Sequence, residues 1–162
     1  MTHWTPHRIA ATHIMTLPAP PEKVYPLLCP VRERDWLPGW RCKMIYANSG
    51  LAEKDCVFSV DFRGFGEEIW TCTQYQPPRE VAYVVTIPHV AVTHLTITLA
   101  AGGDDGCTAL WAYTATELSP DGSAYLRRFE AEAFRSEGDG LQRMLTHYLR
   151  TGTMLAGDLA EG

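Results

Sequence analysis

The 162-residue chain lacks the short motifs by which several chemistries announce themselves. It has no Gly-rich phosphate loop, no Gly-x-Ser-x-Gly elbow, no Cys-x-x-Cys pair and no His-Glu-x-x-His, so each chemistry built on those spacings loses its usual signature. Gly64-Phe65-Gly66 joins two expected strands instead of opening a helix, and reads as a hairpin turn. Basic residues are few and scattered. Fourteen Lys and Arg against nineteen Asp and Glu give a formal net charge of −5 with no basic stripe, which argues against nucleic acid and anionic membrane as partners. No apolar run approaches the roughly 20 residues that span a bilayer. The polar stretch Met1 to Arg8, followed by apolar residues interrupted at Thr12, His13 and Thr16, predicts no signal peptide. The five cysteines are odd in number and sit in apolar segments, the pattern of reduced thiols in a cytoplasmic protein.

What is present is an ordinary globular composition, 46% hydrophobic and 20% charged, with no internal repeat or low-complexity tract. One domain over residues 1–162, with its core at about 7–152, is the expectation. Ile9 to Leu17 reads as a strand that Pro18, Pro20 and Pro21 close. Val24, Leu27 and Leu28 recur at helical spacing, but Pro26 removes a backbone donor, so two short helices are expected before the Pro38-Gly39 turn. Period-two alternation follows, cleanest at Cys56, Phe58, Val60 and Phe62, and further strands are read at about 41–47, 67–75, 80–87, 91–100 and 107–117. The short turns between them predict an antiparallel meander of seven strands with the first set apart. After Ser119-Pro120-Asp121-Gly122-Ser123, apolar residues from Leu126 to Tyr148 at three- and four-residue steps predict one long amphipathic helix of about 40 Å, ending at Gly152 before a loosely held tail. Gly138 and Gly140 interrupt it, which a kink, or a close approach to the sheet or to a ligand, would explain.

The order strand, two short helices, six strands, long helix resembles the START-like or polyketide-cyclase-like superfamily, which includes the birch-pollen allergens. Locally, Pro30 to Trp40, Ser49-Gly50, Cys56-Val57-Phe58, Trp70, Tyr113 to Thr116 and Tyr148 to Gly152 are similar to a bacterial branch of it. The resemblance implies an α+β helix-grip fold, a curved seven-stranded antiparallel sheet around a C-terminal helix, with a cavity between them. In different members that cavity carries lipids, binds hormones or supports cyclisation. No catalytic motif carries over residue by residue, and a fold does not assign a function.

Large aromatics fall on segments predicted to face one interior, where they would wall an apolar pocket or, by ordinary close packing, fill a core. Trp36, Trp40, Phe58, Phe62, Trp70, Tyr83, Trp111, Tyr113 and Tyr148, with Leu141 and Met144 on the helix, form the candidate ligand-binding set. Trp36 and Trp40 flank the Pro38-Gly39 turn and are candidates for the rim. Tyr83 and Tyr113 could donate phenolic hydrogen bonds to a ligand. Glu68 shares a strand face with Trp70 and Cys72, which would suit a general acid, whereas its place near a strand end favours solvation. His89 and His94 have a spacing used by mononuclear iron sites, but His94 alternates outward and no carboxylate partners them, so neither a metal nor a cofactor is expected.

The function these residues point to is binding of a hydrophobic small molecule, a lipid, isoprenoid, polyketide or aromatic metabolite. The alternatives are a cyclase, dehydratase or isomerase working by Tyr or Glu proton transfer, and a protein-interaction module; a homodimer is compatible with each.

Overall fold

The structure, a computed structural model, describes residues 3–156. Seven strands form one antiparallel sheet in the order β1-β7-β6-β5-β4-β3-β2. They are β1 (Arg8–Leu17), β2 (Cys42–Tyr46), β3 (Val57–Val60), β4 (Glu68–Gln76), β5 (Glu80–Ile87), β6 (Ala91–Ala101) and β7 (Cys107–Glu117). From β2 onward each strand pairs with the next, and β1 lies beside β7 in unbroken register from Arg8 opposite Thr116 to Leu17 opposite Cys107. Alternation is visible along β5 and β6, where every second residue is buried. An extra residue, Thr73, sits between the paired positions Cys72 and Gln74 of β4, and a second irregularity lies between Met44 and Tyr46 of β2. Bulges of this kind bend a strand and add twist, which helps the sheet curl around what it packs on.

Between β1 and β2 the prolines act as expected. Pro21 opens α1 (Pro21–Val24), Pro26 forces a 3-10 turn over Tyr25–Leu28, and Pro30 opens α2 (Pro30–Glu33) after an extended Cys29. All five cysteines are free thiols.

Two expectations need correction. The strand expected through Arg63 stops at Val60, and both Phe62 and Arg63 turn partly inward because left-handed Gly64 (φ 80°) and Gly66 (φ 119°) fold the chain back sharply. The long helix is also divided. α3 (Ser123–Leu126) and a 3-10 turn at Arg127–Phe129 are separated by an extended Glu130 from α4 (Ala131–Thr151), whose 21 residues span about 32 Å. The break lets Tyr125, Leu126 and Phe129 pack with Ile87, Ala91 and Ala115 as a cluster distinct from the main core. Helical spacing resumes after Glu130, so the sequence pattern carries no mark of it.

α4 ends where expected, at a left-handed Gly152 whose N–H bonds the Tyr148 carbonyl. Of the tail beyond, Leu155 packs on the main core, and residues 157–162 lie outside the described residues. Gly138 has the role a close approach requires: a Cβ there would stand 2.7 Å from the imidazole of His13 on β1. Gly140 faces nothing nearer than 3.9 Å.

Candidate functional site

The inward positions of β4 to β7 and the break before α4 together enclose a cavity of about 40 Å³. Its sheet side is Trp70, Tyr83, Leu95, Ile97, Trp111 and Tyr113; Trp36 and Trp40, from the segment after α2, also line it, and Tyr125, Phe129 and Leu141 form the helical side. A water needs roughly 10–15 Å³ of such space and an apolar cavity that holds benzene measures roughly 150 Å³, so a ring enters only if a wall moves.

The two tryptophans proposed for the rim are fixed in place. Trp36 Nε1 donates to the Leu27 carbonyl at 2.8 Å and Trp40 Nε1 to the Pro30 carbonyl at 2.9 Å, which satisfies both buried indoles. Trp70 stacks on Phe58 with ring centroids 5.5 Å apart and meets Trp40 edge-on at 5.8 Å. Phe58 therefore backs the wall instead of lining it. Phe62 packs against Trp40, and Met144 and Tyr148 pack on the main core outside the cavity lining. Tyr83 directs its hydroxyl to the Leu28 carbonyl at 3.4 Å, and Tyr113 packs edge-on to Phe134 and tilted against Phe129. His94 faces outward, as its register requires, and His89 sits in a turn with φ 67°.

Glu68 is the largest departure. It is 1% exposed, so its place at the start of β4 does not solvate it. Its Oε1 accepts from Trp70 Nε1 at 3.1 Å and pairs with Arg63 Nη1 at 3.5 Å. Arg63 also reaches Glu137 on α4 at 3.1 Å, and Arg128 holds the same carboxylate at 3.0 Å and 3.2 Å. Four charges from the β3–β4 turn, β4, the 3-10 turn and α4 thus form one chain, fully buried at Glu68 and half-buried at the other three. Burial works against the charged Glu137, but Arg63 and Arg128 outweigh it and hold its pKa below the usual carboxylate value. Arg63 is likewise desolvated, yet Glu137 and Glu68 keep its guanidinium more firmly protonated than usual.

Glu33, at the end of α2, lines the same cavity. Desolvation raises its pKa well above the ordinary 4.5, and Arg63 offsets only part of that. A carboxyl whose folded pKa is raised adds stability below its unfolded pKa and loses it as pH rises through the folded value. Glu33→Gln therefore raises the melting temperature at pH 7 and above and leaves it unchanged near pH 4, as thermal unfolding followed by circular dichroism across that range will show. Equal effects at both pH values would mean that Glu33 is not the desolvated group. Burial also pushes up the phenols of Tyr83 and Tyr113.

Sequence reading passed over Glu33, Arg63, Arg128, Glu137, Tyr125 and Phe129. Arg63 was hidden by extrapolating alternation past Val60, and Arg128 and Phe129 by a helix drawn without its break. A signal was present in the two glycines after Arg63, which mark a turn that can swing a long side chain inward.

No protein-family model matches the chain, and no curated protein matches it in sequence. Solved structures do match in shape. DynU16, a protein of the dynemicin biosynthetic locus, superposes with a TM-score of 0.60 at 18% identity over 89% of this chain, which spans 48% of that protein's length. Norcoclaurine synthase from Thalictrum flavum in complex with dopamine and hydroxybenzaldehyde gives 0.63 at 11% identity, covering 90% of this chain and 88% of the other. Ara h 8.0201 gives 0.62 at 12% identity over 90% and 99%. At such identities the likeness concerns architecture alone. The chain carries the helix-grip fold of the birch-pollen-allergen type that its sequence resemblance implied.

Proposed function

We propose that the chain binds an apolar small molecule between the sheet and the helical segments. The observation that carries this reading is the cavity itself: aromatic walls with a few buried polar groups at fixed positions are the usual composition of a ligand site. A ring-sized ligand displaces the Phe129 and Leu141 side, since Trp36 and Trp40 are tied to backbone carbonyls. Native mass spectrometry of protein purified from its expression host, followed by denaturation, is expected to release a stoichiometric apolar compound. A thermal-shift screen of hydrophobic metabolites supplies the second readout: at a hundredfold excess over Kd a ligand adds about 2.7 kcal/mol, or about 5–10 °C for a chain of this size. No bound mass and no shift across the screen would overturn the reading.

One observation favours an enzyme of the cyclase, dehydratase or isomerase kind instead. The desolvated Glu33 carboxyl has a pKa moved in the direction a general acid needs, and it lines the same cavity as the phenol of Tyr113, a second group able to carry a proton. Tyr113→Phe separates the two readings. For a binder, affinity falls no more than about tenfold, the worth of one hydrogen bond. For an enzyme in which the phenol handles a proton, turnover is lost while binding is kept.

A further inference from the structure

The lining of the cavity carries two groups with nothing to bond. Oε2 of Glu68 and Nε1 of Trp111 are buried without a hydrogen-bond partner among the described residues, and both residues line the cavity. They are 1% and 6% exposed, so neither turns to bulk solvent for a partner. The first is an acceptor and the second a donor only. Buried polar atoms of this kind are rare and call for a partner.

The charges around them cancel. Arg63 and Arg128 face Glu68 and Glu137 in the ion-pair chain, two of each sign. Glu33, Tyr83 and Tyr113, also in the lining, are shifted by burial toward their neutral forms. A carboxylate entering this space brings a negative charge that no cation is left to balance, and an ammonium brings a positive charge beside Arg63. Isolated charges in such surroundings are strongly disfavoured.

Resting on the proposed binding of an apolar small molecule, we propose that the ligand is uncharged and hydroxylated, a phenol-type molecule whose O–H donates to Glu68 Oε2 while an acceptor oxygen meets Trp111 Nε1. The aromatic walls take its ring. A ligand without a donor leaves that oxygen bare and forgoes a hydrogen bond to a carboxylate, roughly tenfold to a hundredfold in affinity. Free fatty acids and amines are excluded by the same balance of charge.

Four probes with one ring system test this: 2-naphthol, naphthalene, 2-naphthoate and naphthylmethylammonium, titrated into the protein at pH 7 and followed by the indole and backbone N–H resonances in NMR. The expected order is 2-naphthol tightest, naphthalene about tenfold weaker or more, and both ions weaker than naphthol by at least tenfold. Glu68→Gln leaves one cation unbalanced, so in that variant naphthoate gains affinity while naphthol loses it. The wild-type ranking stands as a test even if the variant fails to fold. Naphthalene equal to naphthol, or either ion tighter than naphthol, overturns the ligand class while leaving small-molecule binding in place. Failure of all four probes to bind overturns the phenol-type ligand, while small-molecule binding itself falls only if the native mass and the thermal-shift screen are also blank.

Discussion

Arg63→Ala destabilises the fold by about 3–5 kcal/mol, the cost of removing one partner from a buried ion pair. Arg63 is 18% exposed and bonds two carboxylates at once, one of them the fully buried Glu68. Its loss leaves Glu68 with only the Trp70 indole and leaves Glu137 to Arg128 alone. Urea denaturation will show the loss as a lowered midpoint at an unchanged slope. A cost below about 1 kcal/mol would place the network with ordinary surface pairs. The penalty has a pH signature. The folded pKa of Glu137 is held below 4.5, so its contribution is present above pH 4.5 and disappears as pH falls through the lower folded value. Wild type and variant should therefore converge in acid.

Gly138→Ala and Gly140→Ala, two residues apart on α4, should move stability in opposite directions. In a helix interior alanine is favoured over glycine by about 1 kcal/mol. At Gly140 the added methyl has open space, so the variant gains about that much. At Gly138 the methyl would stand 2.7 Å from three atoms of the His13 ring, including its Cγ, so the whole ring has to move. That ring is braced edge-on by Phe134 at 6.3 Å. Overpacking of this kind costs about 1–3 kcal/mol, which exceeds the propensity gain over most of its range. The decisive comparison is made in a His13→Ala background, where the obstacle is gone and Gly138→Ala becomes stabilising by about 1 kcal/mol. If Gly138→Ala is destabilising in both backgrounds, the contact with His13 is not its cause.

The two glycines show how much of this protein could be read from its residues. Their presence inside an amphipathic pattern pointed to a kink or to a close approach, and for Gly138 it is the close approach. What it meets depends on β1, more than a hundred residues away in the chain, and no local pattern carries that information. The sheet was legible because alternation and turn residues are local: β5 and β7 fall at the expected bounds. The aromatic walls were legible for the same reason, since Trp70, Tyr83, Trp111 and Tyr113 follow from strand phase. The ionic side of the cavity was not. Arg63, Arg128 and Glu137 meet only because a turn bends back and a helix breaks, and both depend on tertiary packing. Glu68 was on the correct face, but its burial is conferred by Arg63 and the neighbouring indole, which strand position alone does not reveal.

The pairing of β1 with β7 joins residues 108 apart in the chain, as Arg8 and Thr116 are. Contacts at such separation carry a large loop-closure cost and slow the search for the native state. At about 5–20 residues per second on a ribosome, the strand made first waits on the order of ten seconds for its neighbour. Until β7 emerges, Ile9, Met15 and Leu17, which the finished fold covers wholly or in part, have no strand to join. Any chain stopped before Cys107 presents them to other molecules, so premature termination leaves a sticky N-terminal ribbon.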